Sequence, residues 1–151
     1  MTSVYLGLPY SHDDPAIMEE RYSVALEVQA YLAERDIIVI SPVAMCHVCA
    51  KRWNLPTDTD FWGAQNKLLI KATDCFAYIT ITGWEESYGL KEEWATARRE
   101  DKGIIEIALT FSSPKFSFRI VKETAEVFNF MAAINVANAP DWRRKLHAKD
   151  A

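Results

Sequence analysis

Cys75-Phe76-Ala77-Tyr78-Ile79-Thr80-Ile81 runs into Gly83-Trp84-Glu85-Glu86-Ser87-Tyr88-Gly89-Leu90-Lys91-Glu92-Glu93, and this junction decides the fold. The first stretch is short, apolar and rich in aromatic and β-branched residues, the signature of a strand buried on both faces. The segment from Leu90 to Asp101 has the composition of a helix. A strand that turns directly into a helix is a βα unit of an open α/β sheet, and ligands sit at such turns. The Ser-x-Gly-x-x-x-Glu spacing places Ser87 and Gly89 in the expected loop and Glu93 in the helix's first turn. Free amides at that helix start suit a phosphate.

Outward from this junction the same alternation recurs. Ser3 to Leu8 is the expected first strand. Asp14 followed by Pro15 predicts an N-cap and a first helical residue, and Ile17, Val24, Val28, Tyr31 and Leu32 keep helical spacing as far as Glu34. Ile37 to Ile40 is a continuous β-branched run, expected as a second, doubly buried parallel strand. Ser41 to Thr57 lacks a clear period and is expected to be a long irregular loop, of the kind that often carries function. A helix over about 60–73, the strand at 75–82, the helix at 90–101 and a strand from Ile104 to Leu109 follow, with Gly103 as the expected helix C-cap. Lys115 to Ile120 alternates as an edge strand would. Val121 to Val136 is expected as a helix with Ala125, Phe128 and Ala132 on one face. The order βαβαβαβ predicts a doubly wound parallel sheet in three α/β/α layers, as one domain over 1–140 with a charged tail at 141–151.

Size and charge narrow the functions. A chain of 151 residues buries about 68–70% of its unfolded surface, enough for a core without disulfides or metal. Half of the residues are apolar, which argues against disorder. A net charge of −4 disfavours a polymeric nucleic acid, whose phosphates need a basic face, but leaves room for a single nucleotide in a local cradle. No run is long and apolar enough for a membrane span, and no signal pattern leads the chain, so a cytoplasmic protein without membrane partners is expected. Three cysteines, an odd number, fit a reducing compartment.

Several motifs together resemble the nucleoside 2-deoxyribosyltransferase-like superfamily. Val4-Tyr5-Leu6-Gly7-Leu8-Pro9-Tyr10-Ser11 is similar to its opening Tyr-Leu-(small)-x-Pro, and Ser87 to Glu93 to its helix-entry motif, whose last Glu is the nucleophile. Pro9-Tyr10-Ser11-His12, Ser41-Pro42-Val43-Ala44, Phe61-Trp62 and Gly83 to Gly89 resemble a bacterial and phage branch of it. The resemblance covers about residues 4–110 and implies a flavodoxin-like sheet, no cofactor, and a homodimer or larger homo-oligomer whose subunits complete each other's sites. It implies cleavage of an N-glycosidic bond, by transfer of deoxyribose between bases or by hydrolysis of a nucleoside 5′-monophosphate. Ser at position 87 is similar to the monophosphate hydrolases, whereas the transferases carry Asp there. A carboxylate would repel a phosphate, while a hydroxyl with helix amides would bind one. The superfamily has an Asp where this chain has Asn66, eight residues before Asp74. Asn can hydrogen-bond but cannot exchange a proton, so a neighbour such as Asp60 takes that part or the activity differs.

On this reading Glu93 is the nucleophile, kept charged by the helix N-terminus, an effect worth about 0.3–1 kcal/mol. Tyr5 positions it from the first strand, with Asn66 beside it. Ser87, Gly89 and Pro9 hold the ligand, Tyr10 and Trp62 offer flat faces to a nucleobase, and His47 lies on the substrate side. Asp60, His47 or a water is the acid for the departing base. The rivals are a base-exchanging transferase and a nucleotide-binding protein without turnover. Each residue also has a plainer reading. Glu93 is an ordinary dipole partner, Ser87 and Gly89 are turn residues, and both tyrosines are packing residues. Cys46-His47-Val48-Cys49 has zinc-like spacing but no second ligand pair in the sequence, and Cys75 is a core residue.

Overall fold

A computed structural model describes residues 1–135, which form five strands and five helices. The domain limit at 140, the tail at 141–151 and the end of the helix expected over 121–136 lie outside the described residues. The elements are β1 (Ser3–Gly7), α1 (Pro15–Ala33), β2 (Ile38–Ile40), α2 (Pro42–Arg52), α3 (Thr59–Ala72), β3 (Cys75–Ile79), α4 (Tyr88–Arg99), β4 (Gly103–Leu109), β5 (Phe116–Lys122) and α5 (Ala125–Ile134). They build one sheet in the order β2-β1-β3-β4-β5. The first four strands are parallel, and β5 joins β4 antiparallel at the edge. This is the doubly wound, three-layer α/β/α fold expected, with the flavodoxin-like order. Among the described residues no helix is long and apolar enough to cross a membrane.

Strand periodicity sorts the core into two layers. Val4 and Leu6 of β1 and Cys75, Ala77 and Ile79 of β3 face α1 and α5, where Ala25, Val28, Leu32, Val127 and Phe130 meet them. Tyr5, Phe76 and Tyr78 point to the opposite layer, against Ile70 of α3 and Leu90 and Ala97 of α4. Each buried aliphatic or aromatic side chain stabilises the fold by roughly 1.5–3 kcal/mol. The Asp74 carboxylate accepts from Ser3 N at 2.8 Å while Ser3 Oγ accepts from Asp74 N at 2.9 Å, a reciprocal clamp at the start of β1 and β3.

Each of the five described helices begins on a side-chain cap: Asp14, Ser41, Asp58, Ser87 and Thr124 accept from an amide two or three residues on. Capping also explains where the sequence reading erred. The expected loop after β2 is mostly the helix α2, because Ser41 caps it and Pro42 occupies its first position. The cap at Ser87 puts Gly89 inside α4 and moves Glu93 to the second turn. Gly103 opens β4 instead of ending α4; Asp101 supplies the left-handed residue there, with φ 55°. Thr124 and Val127 fill the space that a Cβ on Gly103 would need. β2 is not doubly buried: it lies at the sheet edge, with Ile38 46% exposed. In α5, Val127 and Phe130 are buried, and the face bearing Ala125, Phe128 and Ala132 turns outward.

Candidate active site

The carboxyl ends of β1 and β3 are neighbours, and their loops leave for helices on opposite faces of the sheet. That divergence is the topological switch point, where open α/β sheets form a crevice. Here it is a cleft of about 940 Å³. Pro9, Tyr10, His47, Trp62, Asn66, Ser87, Gly89 and Glu93, all singled out from sequence, line it. Tyr5 lies fully buried beneath, its ring stacked on Phe76 at 5.6 Å between centroids. Asp60 does not line the cleft; it stands exposed on the first turn of α3.

Three elements bring Tyr5, Asn66 and Glu93 together because all three project into the same layer: Tyr5 by strand alternation, Asn66 from α3 and Glu93 from α4. Asn66 Nδ2 donates to Glu93 Oε1 at a long 3.5 Å. Glu93 Oε2, Tyr5 Oη and Asn66 Oδ1 are buried and none makes a well-formed hydrogen bond, although the Tyr5 hydroxyl lies close enough to Glu93 for each to shift the other's pKa. Such atoms cost about 1–3 kcal/mol each when nothing meets them, so three in one place mark a site that a ligand completes.

Burial raises the Glu93 pKa to about 8, opposed by the nearby Tyr5 hydroxyl, which favours the charged form. The expectation that the helix N-terminus keeps Glu93 charged is therefore overturned. The dipole effect fades beyond the first turn, and desolvation of the carboxylate outweighs it. The Tyr5 pKa is raised well above its ordinary value, first by burial and then by Glu93.

The rim holds the other expected residues. Ser87 Oγ accepts from Leu90 N at 3.2 Å, which leaves its hydroxyl hydrogen free for a ligand. Trp62 Nε1 donates to Pro56 O at 2.7 Å, which fixes the indole at the cleft wall. His47 sits on α2, not on a loop, and is only 4% exposed. Its Nδ1 meets Tyr10 Oη at 2.5 Å and its Nε2 meets Glu19 Oε1 at 2.9 Å. Among the described residues no three His, Cys, Asp or Glu side chains group as metal ligands.

Three contributors were not identified from sequence. Gly7 leaves room for the carboxylate: a Cβ there would lie 2.8 Å from Glu93 Oε2 and 3.0 Å from Leu90 Cδ1. Arg21, 8% exposed within α1, lines the cleft and donates to the Tyr10, Ser11 and Thr82 carbonyls at 3.1–3.3 Å. It ties the β1–α1 loop to the β3–α4 loop, and burial lowers its pKa. Its Nη2 would lie 2.6 Å from a Cβ on Gly83, whose φ of +92° also favours glycine. Glu19 is the third, through His47. An arginine amid an apolar helical stripe was the one signal in the sequence for Arg21.

Residues 2–109 match the family model described as a domain of unknown function, DUF1937, and the chain belongs to that family. The match runs from β1 to β4 and includes every residue placed in or under the cleft above. No curated protein matches the chain.

Proposed function

We propose that this chain is an N-glycosidase that cleaves the base–sugar bond of a nucleoside or deoxynucleoside 5′-monophosphate, with Glu93 as nucleophile. The observation that carries the reading is the cluster of buried polar atoms of Glu93, Tyr5 and Asn66, none in a well-formed hydrogen bond, at the floor of a cleft of about 940 Å³. A pentose has the hydroxyls to satisfy them. The ionised carboxylate attacks C1′, the C1′–N electron pair passes to the base, and water then hydrolyses the glycosyl ester. Tyr5 and Asn66 hydrogen-bond the carboxylate form, and Glu93 faces the positive charge that develops on the sugar. Trp62 offers a flat face to the base, and Tyr10 stands at the cleft wall beside it. The Ser87 hydroxyl and the first amides of α4 take the phosphate, with the Arg21 cation in the same cleft. Glu20, Asp58 and Glu86 also line the cleft but are exposed, so water screens them. The resemblance to the deoxyribosyltransferase-like superfamily supports the same chemistry, in the cytoplasm and in a homo-oligomer.

The test is incubation with ribo- and deoxyribonucleoside 5′-monophosphates while free base is measured, beside Glu93→Ala. Base release by the wild type alone is expected. Binding without turnover, unaffected by Glu93→Gln, would leave a binding protein instead, and exchange with an added base without net sugar release would make it a transferase. Ser87→Asp should lower use of the monophosphate relative to the free nucleoside; an unchanged preference removes the phosphate argument.

A further inference from the structure

The proposed reaction leaves one proton unassigned, the one that the base needs as it departs. Asp60 is outside the cleft, Asn66 cannot exchange a proton, and His12, Glu20, Asp58 and Glu86, which also line the cleft, are exposed to bulk water at its rim. The cleft wall, however, carries a continuous hydrogen-bonded row: Tyr10 Oη to His47 Nδ1 at 2.5 Å, then His47 Nε2 to Glu19 Oε1 at 2.9 Å. A carboxylate only accepts, so the Nε2 proton of His47 is committed to Glu19 and Nδ1 is left to exchange with the phenol. The ring is held in that pose by Tyr22, stacked at 4.2 Å, and by the edge of Tyr10 at 5.6 Å. Lys51 donates to the same Glu19 oxygen at 2.7 Å and pins the outer end. Tyr10 and His47 both line the cleft that Glu93 lines. The plain alternative is a satisfied core histidine. Two features favour a relay: the buried ring stands at a cleft wall, and its row ends on a hydroxyl there.

We infer that Tyr10 is the acid that protonates the departing base, recharged by His47, which Glu19 holds in the required tautomer. The inference rests on the N-glycosidase reading above. With His47 as imidazolium, Nδ1–H donates to the phenol oxygen and the phenol hydrogen is free to point into the cleft. As the C1′–N bond breaks and its electron pair enters the base, the Tyr10 proton passes to a ring nitrogen or carbonyl oxygen of the base. The Nδ1 proton of His47 moves to Tyr10, and His47 becomes neutral with Nε2–H still on Glu19. In the second step water gives hydroxide to C1′, the ester electrons return to Glu93, and the water's proton returns to His47 through Tyr10. Tyr10 is thus a catalytic residue; His47 and Glu19 are positioning residues that act through it.

The test compares two leaving groups on one protein sample, so that the folded fraction cancels. One substrate is the best nucleoside monophosphate of the panel. The other is 2-deoxyribose 5-phosphate carrying 4-nitrophenolate at C1′, a leaving group that departs as a stable anion. Tyr10→Phe and Glu19→Gln should slow base release about 10²-fold or more, the usual worth of a positioned acid, and slow nitrophenolate release far less. Equal losses on both substrates, with the wild type active, would overturn the relay alone. No base release by the wild type from any monophosphate would overturn the N-glycosidase reading and the relay with it.

Discussion

The floor and the wall of the cleft differ in how far their polar groups are satisfied. At the floor, Tyr5 Oη, Asn66 Oδ1 and Glu93 Oε2 are buried with no well-formed hydrogen bond. At the wall, His47 is 4% exposed, yet both ring nitrogens are engaged, by Tyr10 and Glu19. A buried polar group without a partner destabilises the fold, whereas a paired one contributes about 0.5–1.5 kcal/mol. The floor is therefore destabilising until a ligand arrives, and the wall is complete without one. The same kind of substitution should thus cost stability at the wall and little at the floor.

The largest expected effect is at the floor. Glu93→Gln removes the nucleophile and should reduce base release by at least about 10³-fold. It should also change the pH dependence of stability. In the unfolded chain the carboxyl loses its proton near its ordinary value of 4.5, while in the folded protein it keeps the proton up to about 8. The folded state holds more protons between these values, so wild-type stability falls as pH rises through that window, by an amount on the order of a few kcal/mol. Chemical denaturation of Glu93→Gln from pH 4 to 9 should lack this fall; an identical slope in both proteins would contradict the buried carboxyl.

Gly7→Ala sharpens the comparison from the backbone side. The added methyl would stand 2.8 Å from Glu93 Oε2, so the carboxylate or β1 must shift. A loss of about 1–3 kcal/mol is expected from overpacking, with a fall in activity, readable by thermal unfolding and the base-release assay. At the wall, Tyr10→Phe leaves His47 Nδ1 buried without its partner and should destabilise by about 1–2 kcal/mol. The smallest effect is the most discriminating. Tyr5→Phe at the floor deletes a hydroxyl that makes no well-formed hydrogen bond but supports the charged form of Glu93, so near neutral pH, where Glu93 keeps its proton, stability should stay within about 0.5 kcal/mol of wild type while activity falls. A Tyr5→Phe variant less stable than Tyr10→Phe would erase the distinction between floor and wall.

Much of this arrangement was legible in the sequence because it is local. The run from Cys75 to Ile81 and the Ser87 to Glu93 spacing fix strand, turn and helix within a few residues of one another, and Asp14-Pro15 names a helix start outright. Ser41-Pro42 carries the same kind of signal, yet the lack of a clear apolar period over the following residues masked α2. What no local pattern contains is distance in the fold. Glu19 reaches His47 across 28 positions and Arg21 reaches Thr82 across 61, and neither pairing leaves a mark on spacing. The protonation of Glu93 was misjudged for a related reason: the helix dipole is visible from sequence, but the depth of burial that outweighs it comes from Gly7, Leu90 and the layer they share.

The most direct test of the central claim is the intact mass of the protein, quenched during turnover of a nucleotide whose sugar carries fluorine at C2′ to slow hydrolysis of the ester. One sugar phosphate added to the protein and mapped to the peptide bearing Glu93 is the predicted result. Base release with no adduct, or an adduct on any other residue, would contradict it.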